Sequence, residues 1–244
     1  MGRLEIVGVE GLPEVRPGDD LAALLATRAD LRAGDVLVVA HKVVSKAEGR
    51  VVALADVTPS ARAVALAAPW DKDPRQVEVV LRESAEVVRA ERGVLICRTH
   101  GGLVCANAGV DASNAGGPEA LVLLPLDPDA SARALRAALP GRPAVVVTDS
   151  FGRAWRHGQV DTAIGVAGLA PLEDWRGHPD TDGRVMRASW IAIADEAAAA
   201  ADLVRTKDGG VPAAVVRGLE RHVTAEDGPG AAALLRSAAE DLFG

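Results

Sequence analysis

A chain of 244 residues that is 49% apolar but only 2% aromatic, with four Trp, two Phe and no Tyr, must build its core from Ala, Val and Leu. That length is enough to bury a substantial core without disulfides or structural metal, which argues against an unfolded chain. Against 27 Lys and Arg stand 34 Asp and Glu, and the resulting charge of −7 excludes a general electrostatic hold on nucleic acid or anionic membrane while leaving room for a small anion held locally.

The segment MGRLEIVGVEGLPEV carries no basic stretch followed by an apolar one. No run reaches the roughly 18 apolar residues of a spanning helix, so a cytoplasmic protein is expected. In chain order, DVLVVA (35–40) reads as a strand. It runs into AHKVVSKAEGR, where Lys42, Lys46 and Arg50 recur at helical intervals of four and share one face. Thr58 before Pro59, Asp73 before Pro74 and Asp127 before Pro128 each set an N-cap oxygen ahead of a proline at the first helical position. After the second of these, RQVEVVLRESAEVVRA (75–90) continues with apolar residues at helical spacing.

VLICRT (94–99) and LVCAN (103–107) read as strands joined by a His-Gly-Gly turn, an antiparallel hairpin. It carries Cys97 and Cys105, expected to be buried reduced thiols because the spacing is not CxxC and the chain has no third cysteine. Further strands are expected at ALVLLP (120–125), AVVVTD (144–149), AIGVAGL (163–169), SWIAIA (189–194) and AAVVRG (213–218). The Ala-rich DEAAAAADLVRTK should form a helix whose basic end complements its dipole, with a closing helix over about 229–241. Interleaved helices and strands suggest a parallel sheet, but the hairpin shifts the expectation to an α+β fold with mixed sheets.

Four segments carry candidate chemistry. In CANAGVDASNAGG (105–117), small residues allow close backbone approach to a ligand, Asp111 offers a carboxylate to a divalent ion and Asn114 offers both donor and acceptor, unless the loop is simply an Asx-rich turn. AVVVTDSFGRAWRHGQVD runs from a strand into Thr148, Asp149 and Ser150, then Arg153, Arg156 and His157. There Asp149 and Ser150 suit a metal and the basic cluster suits phosphate or carboxylate, the alternative being a surface loop with internal ion pairs. The Lys42, Lys46 and Arg50 stripe suits polyphosphate or is a solvated face paired with Glu48. In RTKDGGVPAAVVRGL (205–219), Lys207 and Asp208 precede a Gly-Gly turn that either presents N–H groups to an anion or merely ends the preceding helix. Neither GxxxxGK[ST] nor a GxGxxG after a strand is present, so a nucleotide site would be built differently.

Together GLPEVRPGDD, VVSKAEGR, DPRQVEVVLRES, GLVCANAGVDASN, TDSFGRAWRHGQVDTAIGVAGL, DWRG, ADE and PAAVVRGL resemble, in order and over nearly the whole chain, the coenzyme F420-0:L-glutamate ligases, or F420:γ-glutamyl ligases. The resemblance implies a GTP-dependent ligase that joins L-glutamate to F420-0 through an acyl phosphate and then adds γ-linked glutamate to F420-1. It implies two Mg²⁺ or Mn²⁺ and K⁺, and a two-domain α+β subunit in an intertwined homodimer. Within residues 1–244, sub-domains are drawn at 1–80 plus 180–244 and at 81–179.

Carried onto this sequence, the implied nucleotide contacts are Gly11, Leu12, Pro13, Glu14, His41, Lys42, Lys46, Asn114 and the segment Thr206, Lys207, Asp208, Gly209, Gly210, Val211, Pro212. Asp111 and Asp149 would hold one metal and Ser150 the other. A further ligand falls at Lys207 or Asp208, and chemistry favours Asp208 because an ammonium has no lone pair. Ser150 stands where relatives commonly carry Thr, keeping the hydroxyl. Thr206-Lys207 stands in place of the more frequent Gly-Lys, and position 41 varies among relatives. Arg153, Arg156 and His157 are the candidates for anionic groups of substrate. The alternatives are a nucleotide- or deazaflavin-binding paralogue without turnover, and a ligase of the same mechanism with another acceptor.

Overall fold

The computed structural model describes residues 2–241. The amino-terminal part comprises β1 (Glu5–Val9), α1 (Leu21–Ala26), β2 (Val36–Ala40), α2 (His41–Ala47) and β3 (Val51–Ala53). Then follow α3 (Ala61–Ala67), α4 (Pro74–Arg82), β4 (Ser84–Glu91), β5 (Val94–Thr99), β6 (Val104–Ala106) and β7 (Ala120–Val122). The chain continues with α5 (Pro128–Ala138), β8 (Ala144–Arg153), β9 (Arg156–Ala167), β10 (Glu173–Asp174), β11 (Trp190–Ile191), α6 (Ile193–Asp202) and β12 (Ala213–Arg217). The main sheet has the order β1-β12-β2-β8-β9, with β2 and β8 parallel and the other neighbours antiparallel, so the mixed-sheet expectation holds.

Both faces of this sheet are covered, which explains why β2 and the first four residues of β8 are apolar throughout. Leu37, Val39, Val145 and Val147 pack toward Leu25 of α1 and Leu135 of α5, while the alternate residues Val36, Val38 and Val146 pack toward α6. The face of α6 is Ala194, Ala198 and Ala201, small side chains that let helix and sheet approach closely in a chain with few rings. Between α2 and α5 the chain builds the β3-β7 and β4-β5-β6 sheets, with Ala63 and Ala67 of α3 and Val77 and Val80 of α4 packed with Leu95 and Cys97 of β5. Cys97 and Cys105 lie directly opposite each other across β5 and β6, buried and free. Among the described residues no helix is long and apolar enough to cross a membrane.

Asp73 and Asp127 cap α4 and α5 as the sequence suggests, accepting from Arg75 and Ala130 N–H at 2.8 Å each. Elsewhere local signals mislead. The third cap belongs to Ser60, whose Oγ accepts from Ala63 N–H at 3.2 Å, so α3 starts after Pro59 rather than with it. The helix expected to run to residue 90 stops at Arg82: the Ser84 hydroxyl donates to the Val80 carbonyl at 2.6 Å, and the Val-rich remainder pairs with β5. SWIAIA yields only Trp190–Ile191 as strand, because Ile193 opens α6 and turns into the core.

α6 ends before Arg205 and Lys207, which therefore do not complement its dipole. The closing helix resolves into two short 3₁₀ turns, Ala231–Leu234 and Ala238–Glu240, with Leu235 extended after the first and Ser237 and Glu240 forming a capping box in the second. Arg50 lies past the end of α2 and turns away from the lysines, donating to the Glu83 carboxylate at 2.5 Å and the Leu124 carbonyl at 2.9 Å. Glu48 likewise takes the Ser131 hydroxyl at 2.5 Å rather than a lysine.

Buried His222 accepts from Arg221 Nε at 2.9 Å, and burial first, then the charge of Arg221, push its imidazole below the ordinary value of 6.5. The unfolded chain therefore takes up a proton that the folded chain resists, and stability should fall as pH drops through 6.5. Urea unfolding of the wild type and His222→Gln at pH 8 and pH 5.5 checks this, with a smaller loss expected in the variant.

Candidate active site

The topology gathers one end of the main sheet. β2 and β8 are parallel with Ala40 beside Thr148, so the start of α2 and the run Asp149-Ser150 emerge together. β12 runs the other way, with Ala213 beside Val39, and the Ala40 N–H donates to the Pro212 carbonyl at 2.8 Å, which brings in residues 206–212. β1 is antiparallel to β12 and Val9 pairs with Ala213, so Gly11–Glu14 leave the sheet at the same end. The carboxyl ends of parallel strands are where open sheets with covered faces most often bind ligands.

The side chains meet there. His41 is 2% exposed; its Nδ1 lies 3.3 Å from Ser45 Oγ, and its Nε2 lies 3.3 Å from Asp149 Oδ1 without hydrogen-bond alignment. Asp149 Oδ1 also accepts the Ser150 N–H at 2.8 Å. Lys42 Nζ reaches Asp111 Oδ2 at 2.7 Å and Ser113 Oγ at 2.5 Å. The Asp111 backbone is pinned by a two-way bridge to Val122, and its carboxylate accepts the Ser113 N–H at 2.7 Å. Just upstream, Asn107 and Ala108 hold φ of 51° and 52°, a left-handed conformation that an Ala adopts only under local constraint. Lys46, buried, pairs with Glu14.

Burial acts to raise the Asp111 carboxyl, but the hydrogen bond and charge of Lys42 together with the Ser113 donors outweigh it and hold it below the ordinary carboxylate range. Cys105 is pushed up to about 12, by burial first and then by the charge of Asp149 and by Cys97, so it stays a protonated, unreactive thiol.

Lys207 Nζ donates to Ser150 Oγ at 2.8 Å, while Asp208 is exposed in the same turn. Asn114 is exposed with φ 55° beside the Asp111–Ser113 turn. Arg153, Arg156 and His157 sit at the exposed tip of the β8-β9 hairpin, where Arg153 donates to the His157 carbonyl at 2.6 Å. Arg153 lies three residue steps along the strand from Ser150, about 10 Å. What the sequence displays as a loop is thus a long hairpin, with Phe151 packed against the core and Trp155 84% exposed at the tip.

Sequence reasoning missed Asp161 and Arg205. Asp161 lies opposite Ser150 across the hairpin and accepts from Ser150 Oγ at 2.6 Å, Thr148 Oγ1 at 2.8 Å and Arg205 Nη2 at 2.5 Å. A carboxylate at the start of the run VDTAIGVA, apolar from Ala163 onward, was the available signal for Asp161; nothing local marked Arg205.

The fold is α+β, and its site gathers carboxylates, hydroxyls and lysines at one sheet end, as suits an enzyme acting on phosphorylated or carboxylate substrates. Residues 11–218 match the family model described as F420-0:Gamma-glutamyl ligase. The chain is 46% identical to the Coenzyme F420:L-glutamate ligase of Methanopyrus kandleri, with all of both chains covered, and 42% identical to that of Methanothermobacter thermautotrophicus over 98% of each. With the protein of the same name from Halobacterium salinarum it shares 49% identity over 87% of this chain and 86% of the other. The chain belongs to the F420-0:γ-glutamyl ligase family.

Proposed function

We propose that the chain joins L-glutamate to coenzyme F420-0 at the expense of GTP, and then adds γ-linked glutamate to F420-1, as a cytoplasmic enzyme of F420 biosynthesis. The observation that carries this reading is the set of contacts among the implied residues, with Lys42 on Asp111, Lys46 on Glu14, Lys207 on Ser150 and His41 beside Asp149, in a chain of this family.

A carboxylate does not condense with an amine at neutral pH without activation. The F420-0 carboxylate oxygen attacks the γ-phosphorus of GTP and GDP leaves; the glutamate nitrogen then attacks the acyl carbon of the acyl phosphate, phosphate leaves and the amine loses its proton. Gly11–Glu14, Asn114 and residues 206–212 bind the nucleotide, and Lys42 and Lys46 place cations on its phosphates. Arg153, Arg156 and His157 receive the anionic groups of F420-0 or glutamate.

Asp111, Asp149 and Ser150 are hard oxygen donors of the kind Mg²⁺ and Mn²⁺ take, and cations already lie against two of them, Lys42 on Asp111 and Lys207 on Ser150. Among the described residues no three His, Cys, Asp or Glu side chains form a group that could hold a metal ion by themselves. Asp111 and Asp149 would hold one ion, and Ser150 with Asp208 the other. Bound there, a divalent pair and K⁺ supply charge neutralisation at the transferring phosphoryl group.

The deciding experiment is mass spectrometry of F420-0 incubated with the protein, L-glutamate, GTP and Mn²⁺. Glutamylated product supports the reading; binding without product, or GTP turnover only with another acceptor, overturns it. Lys46→Met should raise KM for GTP about tenfold, equivalent to about 1.4 kcal/mol, with little effect on folding because its partner Glu14 is exposed and regains water. We also place the enzyme in a homodimer, for which light scattering should give twice the chain mass of 25.1 kDa.

A further inference from the structure

We propose that Asp161 is a positioning residue that fixes the proton of the Ser150 hydroxyl, so that the hydroxyl oxygen faces the site purely as an acceptor for a cation. This rests on the reading that Ser150 is a metal ligand.

A serine hydroxyl has one proton and two lone pairs, and which of them faces a ligand depends on where the proton is committed. At Ser150 the proton goes to Asp161 Oδ1, 2.6 Å away, and the oxygen accepts from Lys207 Nζ at 2.8 Å. A hydroxyl whose proton pointed at a divalent ion would repel it. Asp161 can hold the proton because it has no alternative orientation: it is 5% exposed, and its other oxygen is taken by Thr148 Oγ1 and Arg205 Nη2. Arg205 is itself 6% exposed and also lies 3.3 Å from Thr148 Oγ1. The carboxylate is therefore neutralised from behind and aimed forward. Since Ser150 and Asp161 are directly paired across β8 and β9, the geometry is set by strand register rather than by a mobile loop.

Asparagine has the same shape but the opposite effect on Ser150. Arg205 and Thr148, both donors, hold the amide oxygen on their side, which turns the NH₂ toward Ser150. That NH₂ then donates to Oγ, occupying a lone pair and releasing the hydroxyl proton toward the cation.

The test compares wild type, Asp161→Asn, Ser150→Ala and the double variant by titrating Mn²⁺ in the presence of GDP, with free Mn²⁺ read by electron paramagnetic resonance. Asp161→Asn and Ser150→Ala should each weaken Mn²⁺ binding by about tenfold or more, and the double variant should be no weaker than Ser150→Ala. In turnover the half-saturating Mn²⁺ should rise by the same factor while KM for GTP holds. An Asp161→Asn effect that persists undiminished without the Ser150 hydroxyl, or wild-type Mn²⁺ affinity in Asp161→Asn alongside a loss in Ser150→Ala, overturns the proposal and leaves Ser150 as a ligand. Wild-type affinity in Ser150→Ala overturns the ligand assignment and the proposal together. Because Asp161→Asn alone strands a buried guanidinium, Asp161→Asn with Arg205→Gln, a neutral amide pair, is carried in parallel and judged by the same criteria if the single variant fails to fold.

Discussion

Asp149→Ala should lower metal-dependent GDP release in the presence of F420-0 and glutamate by about a thousandfold or more. Stabilisation of phosphoryl-transfer charge by a bound metal is worth several kcal/mol, and each ~1.4 kcal/mol is a factor of ten in rate. The fold should survive. Asp149 sits at the rim of the sheet rather than in its core, and its removal strips one acceptor from the Ser150 N–H and leaves His41 without a neighbouring charge. The net cost of such a lost hydrogen bond is about 1 kcal/mol. Turnover and thermal unfolding measured on the same preparation separate the two effects. Near-normal turnover would remove Asp149 from the chemistry, and a collapsed melting transition would show that it is a structural group instead.

The largest effect on stability is expected from Gly165→Ala. Gly165 lies in β9 where α5 crosses it, and a Cβ built there would overlap the carbonyl carbon and oxygen of Pro128, the first residue of α5. Neither obstacle is a flexible side-chain end, so α5 itself must lift. That displacement would also disturb Asp129, which accepts from Val166 N–H at 2.7 Å and Ala231 N–H at 2.8 Å and so ties helix, sheet and carboxyl-terminal segment together. The cost should reach or exceed the ~3 kcal/mol typical of severe overpacking. In a chain of this size that is about 6–12 °C in melting temperature. Gly117→Ala, where a Cβ meets nothing within 4 Å, should be close to neutral in the same assay and serves as the control.

Elements whose signal is local were legible in the sequence for a physical reason. β2 and the start of β8 (144–147) are continuous apolar runs because both faces of the sheet are covered, and α4 and α5 announce themselves because an aspartate oxygen and a following proline satisfy a helix start without outside help. The β5-β6 hairpin followed from its short turn, where Gly102 takes φ 88°. Misreadings came where packing outvoted periodicity. Residues 84–91 carry helical spacing but find β5 as a partner, and Ile193 looks like strand but is the first residue of a helix docked on the sheet. The short edge strand β1, five residues interrupted by Gly8 and fully buried only at Val9, does not stand out until β12 is beside it.

For the candidate site, Asp111, Asp149, Ser150 and the lysines stood out in the sequence by residue type and position, each with a plain structural alternative, and the family resemblance is what singled them out. Their partners could not. The sequence left Lys42 between polyphosphate and a solvated face, and only the approach of the 107–114 segment to α2 brings its ammonium onto Asp111. His41 shows the same limit, since its burial against Asp149 depends on the parallel register of β2 and β8. Sequence by itself determined the composition of the core, the mixed α+β class and the family, and it marked the candidate side chains, since these depend on residue type and local order. The tertiary structure alone decided which of them touch, placing Asp161 and Arg205 behind Ser150 and sending Arg50 elsewhere, because contacts between residues tens of positions apart are set by strand register and helix packing.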